Sequence, residues 1–84
     1  MSVRILYFAH LRETLGCGSE QLELPAGTTS VGALRAHLAQ RGEPWSVLAT
    51  TTNLRAAVNQ TMVGMEATVA AGDEVAFFPP VTGG

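Results

Sequence analysis

The residues of this chain best suited to chemistry lie at one end. The sequence closes Phe77-Phe78-Pro79-Pro80-Val81-Thr82-Gly83-Gly84. An apolar stretch meets two prolines, and a short uncharged tail then stops at a carboxylate. Glycine has no side chain, so a Gly-Gly terminus can thread a slot too narrow for any other residue. A carboxylate is a poor electrophile on its own, and this end suits one that a second enzyme activates and modifies. Fully extended, Pro79 to Gly84 spans up to roughly 20 Å, enough to reach a pocket inside a neighbouring protein. With no residue after Gly84, no protease is needed to expose the end.

The other reactive side chains are weaker candidates. Cys17 is the one cysteine, which excludes an internal disulfide and a cysteine-cluster metal site. It sits between Gly16 and Gly18 without a recognisable base beside it, the setting of an incidental turn thiol. His10 and His37 have no metal-ligand spacing to each other or to carboxylates, so both read as surface histidines and no metal site is expected. Glu13, Glu20 and Glu23 lack the context of a paired-carboxylate site and read as solvated.

Composition narrows the partners. The 84 residues are 46% hydrophobic and 14% charged, which describes one small globular domain. The net charge of −2 gives no electrostatic case for nucleic acid or for an anionic membrane. All five basic residues are arginine, so no ε-amine is present to form an amide with the carboxyl end of another copy. The N-terminus lacks the pattern of a signal peptide, and no run approaches the roughly 20 apolar residues of a spanning helix. With its lone thiol, the chain is expected in a reducing cytoplasm.

The elements that must position the tail are legible as alternation and helical spacing. Ser2 to Phe8 alternates, with Val3, Ile5 and Tyr7 on one side and Arg4, Leu6 and Phe8 on the other, which predicts a strand. His10 to Leu15 forms a short helix ended by Gly16. Glu20 to Leu24 is a second strand with Leu22 and Leu24 inward, closed by Pro25-Ala26-Gly27. Ser30 is a good N-cap for the main helix, Val31 to Arg41, whose apolar stripe is Val31, Leu34 and Leu38. Gly42 and Pro44 end it, and Pro44 can open a short further turn carrying Trp45 and Leu48. Leu54 to Val58 and Thr61 to Val63 are short strands joined at Asn59-Gln60. Glu74 to Phe78 is the last strand, with Val75 and Phe77 on one face and Ala76 and Phe78 on the other. Pro79 and Pro80 cannot donate to a ladder, so pairing stops there. This predicts a body, residues 1–78, and an extended tail, residues 79–84. One main helix on one face of a small mixed sheet is an α+β arrangement, and the ubiquitin-like β-grasp is one of several that fit.

Three segments carry a family resemblance. The opening Val3-Arg4-Ile5-Leu6-Tyr7-Phe8-Ala9 with Leu11-Arg12-Glu13, the middle Ala57-Val58-Asn59-Gln60, and the thirteen consecutive residues from Gly72 to Gly84 resemble the small subunits of molybdopterin synthase. The resemblance covers essentially the whole chain and implies a β-grasp sulfur carrier. It implies that an ATP-dependent activating enzyme adenylates the Gly84 carboxylate, and that sulfur from a persulfide donor turns it into a thiocarboxylate. It further implies docking on a large subunit, with Val81, Thr82 and Gly83 threading that subunit's active site. Sulfur then passes to cyclic pyranopterin monophosphate, and two rounds build the dithiolene of molybdopterin. The chain would thus be the sulfur-donating subunit of a heteromeric sulfurtransferase, with no independent active site and no bound cofactor.

Strand parity supplies the docking face. Phe8 and Phe78 share the face opposite the core, and parallel pairing of the first and last strands brings them together, with Met62 joining them. Phe8, Arg12, Met62, Phe78, Pro79 and Pro80 are therefore the expected partner interface, Arg12 as a rim ion pair. The bland alternative for the two rings is ordinary cover by the short helices. Two other functions fit a β-grasp ending in Gly-Gly: the thiamine-pathway sulfur carrier, whose tail usually lacks Phe-Phe-Pro-Pro, and a protein modifier ligated to lysines of its targets.

Overall fold

A computed structural model of the chain describes residues 2–80. Five strands form one mixed sheet. The elements are β1 (Ser2–Tyr7), α1 (Ala9–Leu15), β2 (Ser19–Glu23), α2 (Val31–Ala39), α3 (Val47–Thr50), β3 (Arg55–Val58), β4 (Thr61–Val63) and β5 (Glu74–Phe78). The spatial order is β2-β1-β5-β3-β4, so the last strand lies beside the first. β1 and β5 run parallel, with Ile5 opposite Val75 and Tyr7 opposite Phe77. The other pairs are antiparallel. This is the ubiquitin-like β-grasp that the sequence allowed among its α+β options.

One sheet face makes the core. Val3, Ile5, Tyr7, Ala56, Val75 and Phe77 are fully covered, together with Val31, Leu34 and Leu38 of α2, Leu11 of α1 and Leu48 of α3. Alternation alone put Val3, Ile5, Tyr7, Val75 and Phe77 together, because a strand turns successive side chains to opposite faces. The helix begins where expected: the Ser30 hydroxyl accepts from the Ala33 backbone N–H at 3.1 Å, satisfying one of the first-turn donors. It ends earlier than expected, at Ala39 rather than Arg41. Gln40 is the cap residue, and the Arg41 N–H turns back to the Leu38 carbonyl. Arg35 leaves the apolar stripe to donate to the Leu48 and Thr51 carbonyls, which fastens α3 to α2.

Two local readings need correction. β1 stops at Tyr7, and Phe8 becomes the N-cap residue of α1 in extended conformation. Glu20 is not solvated. It accepts from the Tyr7 hydroxyl at 2.9 Å and takes both terminal nitrogens of Arg41, at 3.0 and 2.9 Å. Arg41 also lies 4.5 Å from the Trp45 ring centre, and Trp45 meets Tyr7 edge-on. Desolvation of the Tyr7 phenol, with the Glu20 charge beside it, pushes its pKa well above the ordinary value, so it stays a donor. The cause of the misreading is distance: the three partners come from three elements and meet only in the fold.

Candidate functional site

The outer face of the sheet leads to the root of the tail. Register puts Leu6 opposite Ala76, Ala76 opposite Ala57, and Ala57 opposite Met62, so four strands share one apolar row. Its middle is two alanines, nearly buried between larger neighbours. Met62 stands at one end with 52% of its surface exposed. The next row belongs to Phe8 and Phe78. The Phe8 N–H continues the parallel ladder to the Phe77 carbonyl at 3.2 Å. The two rings meet edge-on, centres 6.3 Å apart and planes at 81°, a favoured geometry for an aromatic pair. Phe8 is 47% exposed, so the short helices do not cover it.

Of the six residues expected at a partner interface, five fall along this surface. Phe8, Met62 and Phe78 form the apolar part. Pro79 and Pro80 are half-buried just past β5. Pro80 lines a groove of about 430 Å³ with Asn53, Leu54, Arg55, Met62, Val63, Gly64 and Met65. Arg12 is exposed on α1 and belongs to a different groove, with Ala9, His10, Glu13 and Gly16 to Gly18. Its guanidinium lies against Gly18, where a Cβ would stand 3.0 Å from Nε. A side chain at position 18 would have to displace that arginine slightly. Val81, Thr82, Gly83 and Gly84 lie outside the described residues.

The remaining candidates have structural placements. Cys17 is half-buried, and its thiol donates to the Ser19 carbonyl at 3.2 Å. Among the described residues no three His, Cys, Asp or Glu side chains gather at metal-binding distance. No helix among them is long and apolar enough to cross a membrane.

The middle and C-terminal motifs meet at the end of the sheet where β3 finishes and β5 begins. Asn59 and Gln60 both have positive φ, 49° and 70°, and make the two-residue turn between β3 and β4. Asn59 donates its side-chain amide to Asp73 at 3.0 Å and accepts from the Glu74 N–H at 3.0 Å. Asp73 accepts in turn from the Ala70 N–H at 2.8 Å. That backbone bond first, and Asn59 second, hold the Asp73 carboxyl below its ordinary pKa. Gly72, at φ 85°, supplies the left-handed residue of this turn. These residues fix where β5 starts, and so the register that brings Phe78 beside Phe8.

Residues that sequence reasoning missed are Leu6, Ala57, Ala76 and Arg55. Parity placed Leu6 and Ala76 on the outer face, but only strand order shows that they form one row with Ala57 and Met62.

Comparison with known proteins agrees with this geometry. Residues 5–84 match the ThiS family. The molybdopterin synthase sulfur carrier subunit of Haemophilus influenzae is 45% identical, over 98% of this chain and 99% of that protein. SAMP1 of Haloferax volcanii has a crystal structure with a TM-score of 0.78 at 26% identity, with all of both chains covered. Subunit 1 or 2 in a complex of the molybdopterin-converting factor from Helicobacter pylori matches with a TM-score of 0.66 at 22% identity, again over all of both chains, a likeness of fold. This chain belongs to the ThiS family, among the molybdopterin synthase sulfur carrier subunits.

Proposed function

We propose that this protein carries sulfur on Gly84 and delivers it while docked, through its outer sheet face, on the large subunit of molybdopterin synthase. The single observation that carries the reading is the Phe8–Phe78 pair, Phe8 exposed and Phe78 half-buried, at the root of a tail ending in Gly-Gly. Nearly half of the Phe8 surface faces solvent, a cost in water that a partner surface removes.

The chemistry assigned to the end runs in balanced steps. An activating enzyme joins the Gly84 carboxylate to the α-phosphate of ATP, and pyrophosphate leaves. The outer sulfur of a persulfide attacks the acyl carbon, and AMP leaves. A second thiol reduces the resulting acyl disulfide, which releases the thiocarboxylate and leaves a disulfide on the donor side. The thiocarboxylate sulfur then attacks cyclic pyranopterin monophosphate, water cleaves the resulting thioester and restores the Gly84 carboxylate, and two rounds supply both dithiolene sulfurs. In this scheme the chain binds no cofactor, and ATP is consumed by the activating enzyme.

Binding energy from the sheet face holds the tail in place, which raises the effective concentration of its end in the partner's pocket. Val81, Thr82 and Gly83 thread that pocket, and Pro79 and Pro80 stiffen its entrance. Arg12 contributes at most a rim ion pair, since exposed pairs are worth little. The docked complex works in the cytoplasm. The test is reconstitution: thiocarboxylated protein with the large subunit should convert cyclic pyranopterin monophosphate to molybdopterin, and protein lacking Gly84 should not. Equal product from both would refute the reading.

The likeness to SAMP1, a small archaeal modifier protein, favours one second reading, ligation of Gly84 to lysines of target proteins. Covalent adducts seen by blotting cells that express the tagged chain would support it. A carrier should run as free protein.

A further inference from the structure

We propose that Arg55 is a charge anchor beside the tail root, where it receives a carboxylate of the docked large subunit; this rests on the docking reading above. The chain has five arginines. Two are used internally, Arg35 on the Leu48 and Thr51 carbonyls and Arg41 on Glu20. Among the described residues the side chains of Arg4, Arg12 and Arg55 make no hydrogen bond or ion pair. Arg4 has a carboxylate across the strand, because Glu74 is its partner in register. Arg12 lies over Gly18 in the other groove. Arg55 has neither. Its partner in register is Phe78, and its groove is lined by Met62, Met65 and Pro80.

Three of the chain's seven acids are engaged away from Arg55. Glu20 holds Arg41, Glu43 holds Ser46, and Asp73 holds Asn59 and the Ala70 N–H. Glu66 lies over Gly64, on the rim of the groove, and forms no ion pair with Arg55. Arg55 is thus an exposed guanidinium set among apolar side chains at the edge of the surface that docking would cover.

Covering that surface takes water from the guanidinium. A charge buried without a partner is costly, so a partner that seats on Phe78 must supply an acceptor within reach of Arg55. A carboxylate fits best, because the planar fork of arginine matches its two oxygens. The chain carries net −2 overall, so this is local complementarity and not general attraction. The same pair adds to the association rate, and the gain is screened by salt.

The experiment measures association and dissociation of the full chain with isolated large subunit at about 0.05 M and about 0.5 M salt. At low salt, Arg55→Gln should weaken binding about threefold to tenfold, and Arg55→Glu by more than about tenfold, partly through slower association. Both differences should shrink at high salt, and melting temperatures should match the parent, since Arg55 is exposed. Phe78→Ala should weaken binding at both salt concentrations. Arg55→Glu equal to Arg55→Gln at low salt, or both equal to the parent, would overturn the anchor while leaving the docking reading intact. If Phe78→Ala also binds like the parent, the docking reading itself fails.

Discussion

Replacing Phe77 and Phe78 by alanine, one at a time, separates the core from the outer sheet face at adjacent positions. Phe77 has no exposed surface, faces Tyr7 across the parallel ladder, and packs in the cluster with Ile5, Leu34 and Val75. Phe→Ala at such a site typically costs about 3–5 kcal/mol of folding stability. A domain of this length holds on the order of 4–13 kcal/mol in all. Phe77→Ala therefore removes about a quarter or more of the total and should visibly lower the melting temperature. Phe78 is half-buried on the outer face, and its main intramolecular loss is the edge-on contact with Phe8. That contact contributes about 0.5–1.5 kcal/mol beyond area, so the folding change should stay near that value. Binding should respond the other way. Loss of an aromatic at the centre of an interface costs about 2 kcal/mol, so Phe78→Ala should weaken large-subunit binding at least tenfold, about 1.4 kcal/mol. Calorimetric titration and urea melts on both variants give the four numbers. A Phe78→Ala protein that melts like Phe77→Ala but binds normally would refute the assignment of the outer face.

Three further perturbations test other parts of the structure. Gly83→Ala should leave the melting temperature unchanged and slow adenylation or sulfur delivery, because a side chain no longer passes the slot; normal transfer rates would count against threading. Asp73→Ala should cost about 0.5–1.5 kcal/mol at neutral pH, through its bonds to Ala70 and Asn59. Because the folded-state pKa lies below the ordinary 3.8, that contribution is present above the ordinary value and disappears as pH falls through the folded one. Melts from neutral to acid pH should therefore converge for parent and variant, and a constant gap would contradict the linkage. Glu20→Ala strands the Tyr7 hydroxyl and frees Arg41, at about 1–3 kcal/mol. Trp45 emission should change with it, and an unaltered spectrum and melt would show the cluster to be idle.

Much of this fold is written in local pattern. Period-two alternation gave the faces of β1 and β5, and a hydroxyl before an apolar stripe gave the start of α2 at Ser30. The contact between Phe8 and Phe78 was legible because both have the parity of the outer face, and the β1–β5 pairing only had to be parallel. What stayed hidden depends on which strands become neighbours. Ala57 and Ala76 are unremarkable in sequence, and become the floor of an apolar row only because β5 lies between β1 and β3. Glu20 read as solvated because Tyr7 and Arg41 are 13 and 21 residues away along the chain. Arg55 carried no signal, since its meaning is the lack of an acid beside it, and the sequence does not list its neighbours. Asn59 and Asp73 were visible as motif letters, but their bond to each other was not.

The central claim is that Gly84 carries sulfur, and intact mass measures it directly. Protein incubated with activating enzyme, ATP and a persulfide donor should gain about 16 Da, the exchange of one oxygen for sulfur at an activated acyl group. Fragmentation should place the gain on Gly84. Protein lacking Gly84, or extended by one residue beyond it, should gain nothing. An extended variant that still acquired sulfur at its end, or a gain located on Cys17, would contradict the account.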